Sequence, residues 1–409
     1  MTRSLGITIV CFLLGSSGWV GAQDWPQWRG PNRDNKLVGF NEPKTWPKEL
    51  TKKWQITVGV GESSPVLVGD KVYVFGRQDG NEVLTCLDAA SNKVIWRQAY
   101  PAAFQARGDQ AYPGPRSTPA VGEGKIVTLG VNGLLICRDV ATGTEIWRTD
   151  KGFPQFHTST SPIIADGQCI VLAGVLTGFN LSDGKPAWTT PSVKAGYGSP
   201  VFATIDGVKQ IVTPCADAVV GADAKTGKVL WDVKIGTAWQ NNYSTPVVDG
   251  DMVYYSITPA GKFGKGGGTV ATGFIALKVT KKGDKFTTEQ KWKADPAGGY
   301  HTPVIADGRI YGVANAGKNF FCLDAASGKQ LWTDKANHGF AGSIINAGTV
   351  LLSVNADKGL IAFRPSAKSY EEVARYRVST SEPWCVPIIA GNRVYVKDKA
   401  GSLTLWTID

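Results

Sequence analysis

The hydrophobic and polar positions of this chain repeat in a fixed order from residue 63 to the C-terminus. Each repeat begins with a β-branched run after a Ser-Pro, Thr-Pro or related step. It continues through a short turn into an alternating strand and ends in an eleven-residue unit such as CLDAASGKQLW at 322–332. Alternation over four to eight residues between turn signals indicates strands. Each repeat therefore predicts four short strands, A to D.

The fixed residues of the eleven-residue unit each have a physical role. In the copy at 322–332, we expect Asp324 to accept hydrogen bonds from backbone N–H groups and Gly328 to take the left-handed conformation that closes the turn. Trp332 ends the next strand, where an indole can fill the gap against the neighbouring sheet. The residues expected to dock each sheet in this way are Trp54, Trp96, Trp147, Trp188, Trp231, Trp292, Trp332 and Tyr376.

Eight strand-A beginnings set the number of repeats. They are SSPVLV at 63, STPAV at 117, TSPII at 160, GSPVF at 198, STPVV at 244, HTPVI at 301, GSIIN at 342 and CVPII at 385. From Trp96 to Trp332 the docking tryptophans lie 51, 41, 43, 61 and 40 residues apart. Propeller blades of four strands repeat at about 40–45 residues. The long gap holds two insertions, at 261–269 and 280–290.

The eighth repeat stops after three strands. Residues 52–58, KKWQITV, have the pattern of the missing strand D, with Trp54 in the tryptophan place. A strand added there leaves the ring without an open edge. We therefore predict an all-β fold over residues 52–409: a single eight-bladed β-propeller of four-stranded antiparallel blades, closed by the N-terminal strand.

Two segments precede the predicted ring. Residues 1–22 have the pattern of a cleaved signal peptide: Arg3, an apolar stretch at 5–14 too short to cross a bilayer, and a cut expected after Ala22. We therefore expect a periplasmic or secreted protein that does not span a membrane. Residues 23–51 hold three tryptophans among prolines and charges. We interpret them as an extended latch on the outside or across one face, with a partner-binding tail as the alternative.

Charge and cysteine content restrict the partners and cofactors. The formal net charge of +10 becomes +9 without Arg3, and the basic residues are scattered. This indicates a solvated basic surface or attraction to anionic glycans or lipid headgroups, and no nucleic acid partner. Cys86, Cys137 and Cys322 recur at one place of the unit and are expected to be buried, whereas Cys169, Cys215 and Cys385 stay unassigned. With no CxxC or CxxCH present, we expect neither a metal site nor haem.

The repeated unit resembles the tryptophan-docking motif of the pyrroloquinoline-quinone (PQQ) propeller superfamily. That superfamily includes quinoprotein alcohol dehydrogenases and the non-enzymatic assembly factor BamB. The resemblance covers residues 52–409, although the units ending at Trp292 and Tyr376 are degraded. The opening DWPQWRGPNRD is similar to the start of exported PQQ-like proteins of planctomycete-type bacteria. The motif implies the fold and leaves the activity open.

A candidate ligand site lies in the loops that lead into strand A. These loops gather around the axis of a propeller on one face, and an aromatic, basic funnel suits a planar, anionic or sugar-like ligand, although the same aromatics can simply pack the mouth of the channel. Candidate binding residues are Glu62, Arg116, His157, Tyr197, Tyr243, Tyr300, His301, His338 and Trp384.

Two functions follow from the resemblance. The first is a BamB-like, non-enzymatic binding or scaffolding module of the periplasm or envelope. It would act as a monomer on envelope proteins or glycans, with no catalytic residue and no cofactor. The alternative is a small oxidoreductase that uses PQQ and calcium. Quinoprotein dehydrogenases hold calcium with acidic and amide side chains, and many stack an adjacent Cys-Cys pair on the quinone. This chain has no Cys-Cys pair.

Overall fold

The computed structural model describes residues 24–104, 112–152, 157–235, 243–257, 273–295, 301–314, 317–339 and 341–409. Within these ranges the chain forms eight sheets of four antiparallel strands, each built from consecutive strands except the one that joins both ends of the chain. The predicted all-β, eight-bladed β-propeller is therefore confirmed. In the same ranges no helix combines the length and the apolar character that crossing a membrane requires.

The strands of each blade run from the hub outward as A to D. The first strand of the chain, β1 (Thr51–Thr57), belongs to blade 8. Blade 1 contains β2 (Val66–Val68), β3 (Lys71–Gln78), β4 (Asn81–Asp88) and β5 (Val94–Pro101). Blade 2 contains β6 (Ala120–Gly122), β7 (Lys125–Leu129), β8 (Leu134–Asp139) and β9 (Glu145–Asp150). Blade 3 contains β10 (Ile163–Ala165), β11 (Gln168–Ala173), β12 (Val175–Asn180) and β13 (Pro186–Lys194). Blade 4 contains β14 (Val201–Ile205), β15 (Val208–Pro214), β16 (Ala218–Asp223) and β17 (Val229–Lys234).

The second half of the ring repeats this arrangement. Blade 5 contains β18 (Val247–Asp249), β19 (Met252–Ile257), β20 (Gly273–Lys282) and β21 (Lys285–Ala294). Blade 6 contains β22 (Val304–Ala306), β23 (Arg309–Val313), β24 (Phe320–Asp324) and β25 (Gln330–Thr333). Blade 7 contains β26 (Gly342–Asn346), β27 (Leu351–Asn355), β28 (Gly359–Phe363) and β29 (Glu372–Arg377). Blade 8 contains β30 (Ile388–Ala390), β31 (Arg393–Lys397), β32 (Ser402–Thr407) and β1. The insertion at 261–269 lies outside the described residues, and that at 280–290 lengthens β20 and β21.

The N-terminal strand closes the ring as predicted. Strand β1 pairs antiparallel with β32, so that Thr57 lies opposite Ser402. The buried indole of Trp54 packs 5.8 Å from the ring of Tyr395, centroid to centroid. Because the last blade takes strands from both ends of the chain, unfolding either end opens the ring.

Four of the repeated tryptophans dock their blade onto a glycine of the next blade. Gly184 has a φ of +71°, and a methyl group added to it would lie 2.6 Å from the ring of Trp147 in the preceding blade. The Trp147 indole N–H also donates to the Leu181 carbonyl, at 2.9 Å. Equivalent tryptophan–glycine contacts are Trp96 with Gly143, Trp188 with Gly227 and Trp292 with Gly328. The glycine of the unit therefore closes its own turn and also leaves room for the neighbouring indole.

The aspartate of the unit caps its turn. Asp324 Oδ1 accepts hydrogen bonds from the Ser327 N–H at 2.8 Å and the Ser327 hydroxyl at 2.6 Å. The same bonds are made by Asp88 with Ser91, Asp139 with Thr142 and Asp223 with Thr226. This confirms the role expected for the aspartate, since its carboxylate satisfies turn N–H groups that no strand partner reaches.

The cysteines lie in the blade cores. Cys86, Cys137 and Cys322 are 0% exposed, as their place in the unit predicts. Cys169 and Cys385 are also buried, and burial raises the pKa of the Cys385 thiol to about 11. Cys215 is buried with its Sγ 3.7 Å from Asp217 Oδ1. These thiols therefore act as small core side chains.

A belt of side-chain hydroxyls links the inner strands around the hub. In six blades, the Ser or Thr before the strand-A proline accepts a hydrogen bond from the backbone N–H at the same position of the preceding blade, at 2.8–3.1 Å. The donor–acceptor pairs of this hydroxyl belt are Val386–Ser64, Ser64–Thr118, Thr118–Ser161, Ser161–Ser199, Ser199–Thr245 and Thr245–Thr302. The belt satisfies inner-edge donors that face the hub instead of a paired strand.

Residues 24–37, here called the channel plug, enter the hub from the side of the A–B turns. The Asp24 carboxylate accepts from the Gly69 N–H in the A–B turn of blade 1, at 2.8 Å. Trp25 exchanges two backbone hydrogen bonds with Leu67 of β2, at 2.7 and 3.0 Å. Further bonds join the plug to Val121 of blade 2 and to Ile344 and Asn346 of blade 7. The plug therefore completes inner edges that would otherwise stay unpaired.

Two buried arginines of the plug bind carbonyl groups across the hub. Arg29 donates to the carbonyls of Thr302 and Pro303 in blade 6, at 2.8 and 2.9 Å. Arg33 donates to Ser161 and Pro162 of blade 3 and to Pro200 of blade 4, the last at 2.8 Å. The two side chains are 2% and 3% exposed. Burial lowers the pKa of each guanidinium to about 9, so both stay charged at neutral pH.

Residues that follow the plug pack on the outside of blade 7. The Glu42 carboxylate accepts hydrogen bonds from Arg364 at 2.8 Å and from the Thr349 hydroxyl at 2.6 Å. The Tyr376 hydroxyl donates to the Pro47 carbonyl at 2.7 Å. Residues 1–23 lie outside the described ranges, so the signal peptide and its cut after Ala22 stay predictions, as do the domain limits at residues 22 and 51.

We predict that Gly184→Ala lowers the free energy of unfolding by about 3 kcal/mol, because the added methyl group meets both backbone strain and the Trp147 ring. Gly167→Ala is the matched control. It has the same φ of +71° with nothing within 4 Å of the added atom, so only the strain of about 1 kcal/mol remains. Urea denaturation of the two variants measures the difference; equal losses would exclude the indole contact.

We predict that Arg33→Met lowers the free energy of unfolding by about 3 kcal/mol, because buried carbonyls of blades 3 and 4 lose their donor. Arg97→Met, in exposed strand β5, should change it by less than about 0.5 kcal/mol. Chemical denaturation followed by tryptophan fluorescence measures both changes. A loss at Arg33 no larger than that at Arg97 would contradict a supporting role for the plug.

Candidate functional site

The D–A and B–C loops lie on one face of the ring. Strand A begins where strands B and D end, since neighbouring strands of a blade are antiparallel. This face, here called the rim, is opposite the A–B turns through which the channel plug enters. The plug arginines bind carbonyls of the one or two residues just before strand A. The plug therefore forms the floor of any funnel that opens at the rim.

Charged candidates from blades 1 and 2 come together with a lysine of blade 8. Arg116 Nε lies 3.8 Å from Glu62 Oε2, and Lys399 Nζ lies 3.9 Å from Glu62 Oε1. Burial raises the pKa of Glu62, and the two cations oppose this shift. The three side chains are 16–26% exposed, so a partner at the rim can reach all of them.

Aromatic rings surround the same lysine. Lys399 Nζ lies 4.2 Å from the centroid of Trp384 and 5.1 Å from that of Tyr112. The Tyr112 hydroxyl donates to the Lys399 carbonyl, and Trp384 Nε1 donates to Glu382 at 3.0 Å. Cation–π contacts of this kind hold the ammonium group of Lys399 in place, although its long aliphatic side chain is intrinsically flexible. Glu62, Tyr112, Arg116, Trp384 and Lys399 are here called the rim cluster.

The rim cluster rests on a buried charged layer. Lys397, 1% exposed, donates to the Gly61 carbonyl directly beside Glu62. Asp398, 3% exposed, accepts hydrogen bonds from the Ser402 N–H at 2.9 Å and the Ser379 hydroxyl at 3.0 Å. These bonds hold the B–C loop of blade 8 rigid, and with it Lys399.

Two further candidates form a separate aromatic pair. The rings of Tyr197 and Tyr243 lie 5.4 Å apart, centroid to centroid, with an interplanar angle of 32°. The Tyr197 carbonyl accepts from the Ser159 hydroxyl at 2.7 Å, which ties this loop to the preceding blade. Offset pairs of this kind are stable aromatic surfaces that a flat ligand or an apolar partner side chain can contact.

Each of the three histidines has its own neighbours. His157 is buried, and its ring packs against that of Phe104 with the centroids 4.7 Å apart. His301 is buried with Nδ1 3.1 Å from the Gly342 carbonyl. His338 belongs to the loop that follows blade 6. These surroundings give the histidines packing and hydrogen-bonding roles within the loops. Their assignment to a ligand stays a prediction.

His338 lies between two carboxylates. Its Nε2 is 2.8 Å from Asp334 Oδ2, its Nδ1 is 3.9 Å from Asp357 Oδ2, and its ring stacks on Phe320 at 3.9 Å. Burial alone would lower the pKa of His338, but the two carboxylates outweigh burial and raise it. Asp357 also lies 3.3 Å from Arg375. The imidazole therefore links the loop after blade 6 to the B–C loop of blade 7.

Sequence reasoning placed part of this site. It identified Glu62, Arg116 and Trp384, which the structure brings together, while Tyr300 lies outside the described residues. It missed Tyr112 and Lys399. The predicted residues all lie in the loops that lead into strand A, whereas Lys399 belongs to the KDKAG segment at 397–401, which reaches the same face from a B–C loop.

The calcium and quinone of the alternative hypothesis stay a prediction. Calcium takes six to eight oxygen ligands, mostly carboxylates and carbonyls. In the ranges that the structure describes, no group of three or more His, Cys, Asp or Glu side chains is placed to hold a metal ion. The one acidic candidate, Glu62, already faces Arg116 and Lys399.

We predict that the contribution of His338 to stability falls as pH rises. Its pKa is raised above 6.5 in the folded state, so its stabilising charge is fully present below pH 6.5 and is lost as pH rises through the folded pKa. The difference in free energy of unfolding between the wild type and His338→Gln, measured from pH 5.5 to 8.5, should therefore shrink with pH. A difference that is constant or grows over this range would contradict the link.

Comparisons with known proteins agree with this architecture. Solved structures with similar folds include BamB from Moraxella catarrhalis, with a TM-score of 0.64 and 14% identity over 88% of this chain and 97% of that chain. Another is the quinohemoprotein alcohol dehydrogenase from Comamonas testosteroni, with a TM-score of 0.62 and 15% identity over 94% and 80%. At such identities these likenesses show the fold alone.

Sequence comparison is more specific. The outer membrane protein assembly factor BamB from Burkholderia pseudomallei strain K96243 is 26% identical over 229 residues, or 45% of this chain. The match spans 59% of that relative's length. The family model of outer membrane protein assembly factor BamB matches residues 33–113, 105–318 and 282–404. The chain therefore belongs to the PQQ-like β-propeller family of the outer membrane protein assembly factor BamB.

Proposed function

We propose that the protein is an exported, non-enzymatic propeller that scaffolds protein assembly in the periplasm or cell envelope. The observation that carries the proposal is the match of the BamB family model over most of the ring. Within this proposal the rim binds a folded or extended envelope protein, and the blades hold the rim loops in place. Glycans are a second class of partner, and the chain acts as a monomer.

The composition of the rim cluster supports a protein partner. Tyr, Trp and Arg dominate the residues that contribute most to protein–protein binding. The rim cluster places Tyr112 and Trp384 around Lys399 and Arg116 beside Glu62, all partly exposed. The pair of Tyr197 and Tyr243 adds a second aromatic surface. Such side chains supply large contact areas and lose little rotamer freedom on binding.

The floor of the funnel also supports binding at the rim. Buried guanidiniums and backbone hydrogen bonds hold the plug in the hub, so a partner meets a preformed surface. Preformed surfaces bind with a smaller ordering cost than flexible ones. Because the plug fills the hub, the surface left for a partner on this side is the rim with its D–A and B–C loops.

Site-specific photo-crosslinking in cells tests the proposal. A photoreactive phenylalanine analogue in place of Trp384 should capture a discrete envelope protein. The same analogue in place of Ile95, which is 45% exposed on the outer strand of blade 1, should not. Trp384→Ala should then weaken binding of the captured partner at least about tenfold, whereas Lys93→Ala on the opposite face should leave it unchanged.

Two results would contradict the scaffold proposal. One is equal capture at positions 384 and 95, which would mean non-specific contact. The other is calorimetric binding of PQQ and calcium at a fixed stoichiometry, together with quinone absorbance of the complex and oxidation of an alcohol. This result would favour the quinoprotein oxidoreductase.

A further inference from the structure

Blade 5 carries an unusually long outer hairpin. Strands β20 and β21 have ten residues each, against five and four for the corresponding strands of blade 6. Their pairing continues to Lys282 opposite Lys285, across a two-residue turn. The Lys281 N–H donates to Asp206 Oδ2 in the A–B turn of blade 4, at 2.6 Å. The hairpin is therefore anchored on the face opposite the rim.

The two faces of this hairpin have opposite character. On one face, Leu277 and Val279 are buried and Phe286 packs with them against the core of blade 4. On the other face, cross-strand pairing places Lys278, Thr280 and Lys282 opposite Glu289, Thr287 and Lys285. One face is thus used for folding, while the other presents lysines and threonines to solvent.

The polar face is shallow and open to solvent. It carries the three lysines Lys278, Lys282 and Lys291, the threonines Thr280 and Thr287, and Glu289. We call residues 278–291 the lysine ribbon. Its ammonium groups can pair with acidic groups, and its hydroxyls can bond to oxygen-rich neighbours of those groups.

Charge concentrates on this hairpin. Between residues 273 and 294 there are six lysines and two acidic residues, a net charge of +4. Lys278 lies 3.3 Å from Asp251 and Lys291 lies 2.9 Å from Glu289, with the lysine side chains 44% and 41% exposed. Exposed pairs of this kind are weak, so an incoming anion can replace them at small cost.

We propose that the lysine ribbon binds an acidic polysaccharide. A polymer strand with carboxylate or sulfate groups can lie along the ribbon and alternate acidic contacts to lysines with hydroxyl contacts to threonines. A membrane fits less well, because the tip at 281–285 contains no apolar residue that could insert, and Phe286 faces blade 4. A flat anionic surface would also approach the acidic A–B turns, which include Asp166, Asp206 and Asp307.

Binding to polygalacturonate, measured by calorimetry at low ionic strength, tests this inference, with uncharged dextran as the reference polymer. Binding should weaken as sodium chloride is raised, because exposed charges are screened. The triple variant Lys278→Gln, Lys282→Gln, Lys291→Gln should bind at least about tenfold more weakly. Its matched control is Lys225→Gln, Lys228→Gln, Lys329→Gln on the exposed C–D turns of the flanking blades. The control has the same net charge and should bind within about twofold of wild type.

Three outcomes would overturn the proposal. Equal weakening in the two triple variants would show attraction by net charge alone. Binding to phosphatidylglycerol vesicles without binding to polygalacturonate would assign the lysine ribbon to a membrane surface. Absence of binding by the folded wild-type protein at low ionic strength would remove the site. Since the ribbon is opposite the rim, none of these outcomes changes the crosslinking result expected at position 384.

Discussion

The hub of the propeller depends on one constraint: the inner edge of every strand A faces a narrow channel, where its backbone groups have no further strand to pair with. Buried N–H and C=O groups without partners cost free energy comparable to a lost hydrogen bond. The hydroxyl belt takes the N–H groups before strand A, and the plug arginines take neighbouring carbonyls. The Ser-Pro and Thr-Pro steps meet this constraint in two ways. The hydroxyl accepts an N–H of the preceding blade, and the proline has no N–H that would need a partner.

The outer parts of the blades explain why the sequence predicts the fold so well. In one eleven-residue unit, Asp139 caps the turn, Gly143 leaves room for the indole of blade 1, and Trp147 docks on blade 3. Each fixed residue acts within its own blade or on the next one, so the chemistry recurs at the blade period. A local pattern of this kind can be found in a single sequence.

The hub and the rim are less predictable for a physical reason. Arg33 bonds to carbonyls 128 and 167 residues further along the chain, and nothing near it in sequence marks those partners. The same applies to Lys399, which meets Tyr112 and Glu62 because the ring brings blade 8 beside blade 1. Glu62, Arg116 and Trp384 could be identified because each lies in a loop that leads into strand A, whereas Lys399 and the plug arginines lie outside those loops.

The plugged hub separates the two surfaces of the molecule. Rim loops are built on the beginnings of strand A, and the lysine ribbon on the opposite ends of blade 5, with the buried plug and the hydroxyl belt between them. Coupling between sites requires an element with two arrangements that both sites bias. A hub held by buried guanidiniums and backbone bonds does not offer such an element. A partner at the rim and a polyanion at the ribbon should therefore bind independently, and the propeller would act as a rigid connector between them.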